Sequence, residues 1–179
     1  MTDNALAILF RAQLRAGLSR AGYAALPVVA SYQPTTQGRV NGPAIYFHPI
    51  SDTRYGWQWR KRKYNPLTGR IDTTEAQIIE SAFQVYALAE QDPSNLELPT
   101  AKDFTNIAAM ICNSENFMQS MRANGAGILR VTQIRSPFFV NDEGQFEASP
   151  SFDITISHPR QLQEVTPVAA DVTHFIHRV

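Results

Sequence analysis

The stretch from Arg54 to Tyr64 alternates like a β-strand, yet its second half has no apolar face. In an extended chain, successive side chains point to opposite faces. One face of this stretch would carry Trp57, Trp59, Lys61 and Lys63. The opposite face would carry Gln58, Arg60, Arg62 and Tyr64. A strand that lies wholly on a core needs one apolar face, so we expect this stretch to leave the body of the domain.

A hairpin turn is expected directly after this stretch. In the segment Asn65–Arg70, proline fixes one φ angle and glycine is free to take a positive one. Residues 73–90 fit either a helix or a strand, and we interpret them mainly as a strand because they must pair with the basic strand across a short turn. Such a strand is longer than a domain of this mass is wide, so it must bulge, bend or project. The pattern predicts a projecting β-hairpin arm over residues 54–90.

Two segments have the spacing of amphipathic helices. The first covers residues 4–21, with Asp3 or Asn4 as its N-cap. Its apolar stripe consists of Leu6, Leu9, Phe10, Leu14 and Leu18. The second covers residues 100–125, where Thr100 and Asp103 match a capping box and a break is expected near Asn113. The buried face of this second segment is expected to consist of Ile107, Met110 and Ile111, followed by Phe117, Met118 and Met121.

The remaining apolar runs predict strands that begin at Val28, Ala44, Ile128 and Phe152. In the last of these, the expected buried face is Phe152, Ile154 and Ile156. The pairs His48-Pro49 and His158-Pro159 are expected to end their strands, because proline removes a ladder donor. A turn at residues 141–144 and a final strand at residues 172–179 complete the pattern.

The order of these elements predicts an α+β fold in a single domain over residues 1–179. We expect a mixed or mainly antiparallel sheet, two helices packed on it, and the β-hairpin projecting from it. At 179 residues and 20.0 kDa the chain is long enough for one proper core and too short to make two comfortably.

Charge is balanced over the chain but concentrated in one region. The 16 Lys and Arg residues equal the 16 Asp and Glu residues, so no long-range attraction to nucleic acid or anionic membrane is expected. The clustered cations are Arg54, Arg60, Lys61, Arg62, Lys63 and Arg70. A single cysteine, Cys112, rules out an intrachain disulfide and fits a reducing compartment. Neither a signal peptide nor a membrane span is predicted.

The sequence contains no pattern that predicts an enzyme, a cofactor site or a metal site. His174 and His177 are three residues apart, but in the expected strand they point to opposite sides. Cys112 follows a run of apolar helix residues, which predicts a buried and inert thiol. Three glutamates are separate carboxylates rather than an acid–base pair: Glu75, Glu80 and Glu90.

The cationic and aromatic arm allows three interpretations. As a protein interface, it would use the tryptophans as anchors and the cations at the rim against an acidic neighbour. As a nucleic-acid-binding module, it would stack bases on Trp57 and Trp59 and hold phosphates with Arg60 to Lys63. As a solvated hairpin, it would cover the core with its tryptophans. Balanced overall charge favours protein contact. The expected contact residues are Arg54, Trp57, Trp59, Arg60, Lys61, Arg62, Lys63, Tyr64 and Arg70.

The element order and one motif resemble a known family. The leading helix, the basic hairpin, the central helix and the segment Ser136–Ile156 are similar, in that order, to tailed-phage neck and tail-terminator proteins, also called gateway or head–tail joining proteins. The resemblance implies a small subunit that forms a ring, commonly a hexamer, between the portal side of the capsid and the tail tube. It further implies a structural role in virion assembly, DNA passage through the ring, and no enzymatic activity.

The same resemblance implies partners and a location. The expected partners are further copies of the chain, adjacent neck or portal-side proteins, and tail-tube or sheath proteins. Genomic DNA would pass through the lumen without sequence-specific contact, and no membrane is involved. Because a basic tip inside a DNA channel would grip the polyanion, we expect the tip to contact a neighbouring protein ring. Residues 136–149 are a second candidate surface, and the protein is expected in the host cytoplasm during assembly and then in the virion.

Overall fold

A computed structural model describes residues 1–31, 42–89, 94–95, 97–140, 146–148 and 150–167 of the chain. Within these residues it contains three helices and seven strands. In chain order they are α1 (Asp3–Arg20), β1 (Val28–Ala30), β2 (Ala44–Asn65), β3 (Arg70–Leu88), α2 (Ala101–Cys112), α3 (Glu115–Ala123), β4 (Gly127–Val131), β5 (Phe138–Val140), β6 (Phe146–Ala148) and β7 (Ser151–Pro167).

The main sheet has five strands in the order β1-β2-β3-β7-β4. Strand β1 pairs with β2 in parallel, and the other neighbours pair antiparallel. Strands β5 and β6 form a separate two-stranded antiparallel sheet. The α+β class and the mixed sheet predicted from the sequence are therefore confirmed, and so is the strand interpretation of the segment that begins at Thr73, as far as Leu88.

Helix α1 packs its apolar stripe against the main sheet. Phe10 lies at the centre, with ring centroids 5.1 Å from Phe47, 5.8 Å from Phe83 and 6.1 Å from Phe117. Of the predicted stripe, Leu9 alone is only partly buried. The N-cap prediction was one or two residues late, because Thr2 Oγ1 accepts the bond from the backbone N–H of Ala5. A hydroxyl at that position satisfies one of the free N–H groups of the first turn.

The second helical segment is two helices, so three helices pack in the domain rather than the two predicted. Thr100 and Asp103 form the predicted capping box. Helix α2 ends at its C-cap Asn113, and Ser114 is the N-cap of α3. Met110 was placed on the buried face, but it is 72% exposed. The buried face is centred on Ala108 and Cys112, each of which lies about 160° around the helix axis from Met110.

Two prolines that were expected to end strands instead lie inside them. Strand β2 continues through Pro49 and β7 continues to Pro167, past Pro159. Beyond Phe47 no described strand pairs with the outer side of β2, and beyond Ser157 none pairs with the outer side of β7. A proline is tolerated on a strand that has one neighbour only, because a missing N–H on the open side removes no ladder bond. A register shift between Pro49 and Ser51 accompanies the first of them.

Some predictions concern residues that the structure does not describe. They are the turn at residues 141–144, the last strand at residues 172–179, Glu90, and the pair His174 and His177.

Candidate interaction surface

The predicted arm exists as a three-stranded ribbon. We define the arm as residues 53–65 of β2, 70–80 of β3 and 157–167 of β7, which pair across all three strands. The core cluster uses the other ends of these strands, at Ile45 and Phe47, at Phe83 to Ala87, and at Phe152 to Ile156. Within the arm, Ala76 and Ile79 on β3 and His158 on β7 are also buried, whereas residues 53–64 of β2 are all exposed.

The third strand of the arm was missed from the sequence. The predicted strand end at His158-Pro159 is wrong, because β7 continues to Pro167. The structure pairs β3 with β7 without a register shift from Arg70 to Tyr86. The length of the predicted hairpin indicates a third strand, since a hairpin with both edges open is marginal in water.

The turn at the arm tip is built as the sequence predicted. The N–H of Gly69 donates to the carbonyl of Asn65 over 3.0 Å, and the N–H of Leu67 donates to Asn65 Oδ1 over 3.1 Å. Gly69 has a φ of 62°, which favours glycine. At the tip, Leu67 is 95% exposed and carries an apolar side chain into solvent.

The register divides the arm side chains between two faces. The front face is the one that continues the core side of the sheet, and it carries Arg60, Arg62 and Tyr64 opposite Glu75, Thr73 and Ile71. The back face carries Trp59, Lys61 and Lys63 opposite Ala76, Thr74 and Asp72. The predicted alternation from Trp59 to Tyr64 is confirmed.

The alternation does not extend to Trp57. The pairing of β2 with β3 shifts between Tyr55 and Trp59, and Gly56 has a φ of 70°. The side-chain amide of Gln77 donates to the carbonyl of Gly56 over 2.9 Å, which ties this bulge to the central strand. Trp57 lies inside the bulge and is 96% exposed. A bulge commonly redirects a side chain away from the regular faces of a sheet.

Charges on the front face are partly compensated within the arm. Glu75 accepts hydrogen bonds from the guanidinium of Arg60 and the amide of Gln58. By contrast, no ion pair joins Lys61 or Lys63 to any residue in the described part of the chain. The back face therefore offers two cations that form no ion pair among the described residues, with Asp72 opposite Lys63 as the nearest acidic residue in the register and the half-exposed indole of Trp59 on the same face.

All nine predicted contact residues lie on the arm and are exposed. Eight belong to β2, and Arg70 opens β3. The interpretation in which the tryptophans cover the core is wrong, because neither belongs to the core cluster. The structure thus brings the predicted cations and indoles onto one solvated ribbon.

The base of the arm is fastened to the start of α1. The Met1 amine donates to the carbonyl of Pro159, and Arg160 lies 3.3 Å from Asp3. His158 is buried there, with Nε2 3.1 Å from Ser81 Oγ. Burial lowers the pKa of His158, and the Met1 amine lowers it further. These contacts fix the angle at which the arm leaves the body.

Burial raises the pKa of the Cys112 thiol, as expected for an inert core cysteine. A cleft of about 420 Å³ beside Tyr23 includes Asp103, whose carboxylate is bonded to the Thr100 cap. No cluster of three His, Cys, Asp or Glu side chains suited to a metal occurs among the described residues. None of the described helices is long and apolar enough to cross a membrane.

The second candidate surface, residues 136–149, is only partly described. Its backbone forms β5 and β6, and a bridge between Arg135 and Ser151 closes the loop at its base. Arg135 also lies 2.6 Å from Asp153 on β7, which fixes the base to the main sheet.

Comparison with known proteins gives one family. A family model described as the E217 gateway protein gp29 matches residues 5–168, a range that contains every described residue of the arm. This match confirms the resemblance inferred from the order of elements. No curated protein matches the sequence.

One similar solved structure is the PVC sheath/tube terminator in the extended state, from a cryo-EM study of an extracellular contractile injection system. It shares 12% sequence identity with the chain at a TM-score of 0.49. The similarity covers 100% of the chain, which spans 64% of the length of that terminator chain. At this TM-score the similarity supports no conclusion about function.

Proposed function

Because the chain belongs to the family of the E217 gateway protein gp29, we propose that it forms a ring at the head–tail neck of a tailed bacteriophage. The family itself is one of structural proteins of the phage neck and tail end, which supports a structural rather than a catalytic role. In the proposed assembly the ring is a hexamer that terminates the tail tube and joins it to the portal or collar side. DNA passes through its lumen.

The observation that carries this proposal is the exposed arm inside the family match. The arm consists of three long paired strands, yet all nine of its predicted contact residues are solvent-exposed in the isolated chain. Exposed tryptophans and tyrosines that do not support a core are typical anchors of protein interfaces. A ring subunit needs two different surfaces that fit head to tail, and a projecting arm supplies one of them.

Within this proposal the arm residues have named roles. Trp57, Trp59 and Tyr64 are the anchors of the contact, and the cations Arg54, Arg60, Lys61, Arg62, Lys63 and Arg70 surround them. The partner is the neighbouring subunit or the adjacent protein ring, formed by tail-tube, sheath or portal-side proteins. The tip meets protein rather than DNA, because a ring of cationic tips in the lumen would hold the polyanion.

The proposed life cycle follows from this role. The chain is made and held in the host cytoplasm as a subunit with one buried thiol and no net charge. It then becomes part of the virion, in the neck or tail. No membrane contact and no cofactor enter the proposal.

A paired substitution tests the proposal. Lys61→Ser with Lys63→Ser removes two cations that have no ion pair among the described residues, so folding should be unchanged. Light scattering, with and without the tail-tube protein, should show weaker assembly. The matched control is Lys102→Ser, which removes an exposed cation from α2. Unchanged assembly in the double variant would refute a role for the back-face cations.

A second candidate function is single-stranded nucleic-acid binding. The observation in its favour is that Trp57 is 96% exposed on the same strand as Lys61 and Lys63, which form no ion pair among the described residues, since bases stack on indoles and phosphates attract lysines. Under this alternative, the Lys61 and Lys63 double variant would lose salt-dependent binding to single-stranded DNA and assemble normally. The two outcomes separate the two functions.

A further inference from the structure

The arm has two open edges. Strand β2 pairs with β1 only from Ile45 to Phe47, so on its outer side residues 53–65 have no partner in the described structure. Strand β7 pairs with β4 only as far as Ser157, so no described strand lies on the outer side of residues 158–167, although the Met1 amine donates to the carbonyl of Pro159. Open edges present rows of unpaired N–H and C=O groups and are templates for pairing with another chain.

The two edges have different charge. Residues 53–65 contain five cations, Arg54, Arg60, Lys61, Arg62 and Lys63, and no acidic residue. Residues 157–167 contain one cation, Arg160, and one carboxylate, Glu164. Two β2 edges would repel each other, because like charges on neighbouring strands are destabilising. A β2 edge placed against a β7 edge avoids that repulsion.

The direction of the strands suits a head-to-tail contact. Both β2 and β7 run antiparallel to β3, so they run parallel to each other. Copies related by rotation about an axis along the arms would bring β2 of one copy beside β7 of the next, and each contact would be identical. Contacts between two different surfaces close into rings when the rotation permits.

The β7 edge has a stretch that is able to pair. Pro159 and Pro167 have no backbone N–H to donate to a neighbouring strand, but residues 160–166 between them contain no proline. This stretch carries Leu162 and Val165, which are 54% and 58% exposed. Side chains of a neighbouring strand would cover both, since residues on adjacent strands contact each other across a pair.

We propose that residues 59–64 on the β2 edge of one copy pair in parallel with residues 160–166 on the β7 edge of the next copy. The arms of the ring would then form one continuous sheet without open edges. This inference rests on the ring proposed above, and it names the contact by which the ring closes.

Cysteine cross-linking tests the contact. Arg62→Cys and Glu164→Cys place one thiol on each edge, and the native Cys112 is buried and stays unreactive. The two full-length variants are mixed before assembly and treated with a short bismaleimide, which tolerates an offset in register. The mixture should give a covalent dimer, and each variant alone should give none.

A matched control and light scattering separate the possible failures. Arg62→Cys mixed with Arg122→Cys, on exposed α3, should give no covalent dimer. Rings that form without the mixed dimer would overturn the edge contact and leave the proposed function standing. Dimers from Arg62→Cys alone would also overturn it, in favour of β2 pairing with itself. A chain that stays monomeric at all concentrations, with no cross-link, would overturn both proposals.

Discussion

Replacement of Trp57 by alanine separates assembly from folding. The side chain is 96% exposed, so the folded chain covers only about 10 Å² of the ~250 Å² of a tryptophan, worth about 0.3 kcal/mol. The free energy of unfolding should therefore change by less than about 0.5 kcal/mol. As an interface anchor, however, the same indole would contribute about 2 kcal/mol or more to association. That value corresponds to an assembly constant about 30-fold weaker.

Two assays measure the two quantities. Urea unfolding gives the stability of the subunit, and light scattering over a range of concentrations gives the assembly constant. Trp59→Ala is the informative contrast, because Trp59 is only 47% exposed and its loss should cost up to about 3 kcal/mol of stability. If Trp57→Ala destabilises the fold as much as Trp59→Ala, or leaves assembly unchanged, the indole of Trp57 is not an interface anchor.

Two further changes test how the body is built. Gly17→Ala would bring a Cβ within 2.2 Å of Ile111 Cγ2, so it should destabilise by roughly 1–3 kcal/mol in urea unfolding despite a helix-propensity gain of about 1 kcal/mol. Ser19→Ala on the exposed side of α1 is its control, and a stabilised Gly17→Ala would contradict the close packing of α1 on α2. For His158, a lowered pKa means that the unfolded chain binds a proton the native one does not, so stability should fall as pH drops below the ordinary value of 6.5. His158→Gln should weaken the dependence of stability on pH. An equally steep fall of stability in this variant would show that another group causes the dependence.

Local signals predicted much of the fold. The capping box at Thr100 and the turn from Asn65 to Gly69 are chemistry within a few residues, and both formed as expected. The turn also predicted the long strand β3, because a segment that pairs with β2 across a short turn has to be extended. The apolar stripe of α1 was found for the same reason, as its period is a property of the segment alone.

The wrong predictions concern features that depend on contacts between segments distant in the sequence. Whether Pro159 ends a strand depends on whether another strand is bonded to its N–H side, and no nearby residue reveals that. The third strand of the arm was lost with it. The exposure of Met110 depends on which side of α2 meets the core, and the small residues Ala108 and Cys112 decide this rather than the larger Ile107. For the bulge that holds Trp57, the one indication in the neighbouring sequence is Gly56, which has a positive φ.

The arm shares its strands with the body. Strand β3 runs from the tip at Arg70 to the core at Leu88, and its pairing with β7 is continuous as far as Tyr86. A projecting element joined to the body by a loop could pivot freely, whereas the arm is continuous with the sheet that packs against Phe10. Force applied at the tip is thus transmitted as bending and twisting of the core sheet. Both register shifts of the β2–β3 pair lie in β2, whereas the β3–β7 pair has none, so bending of the arm should be concentrated in its β2 edge.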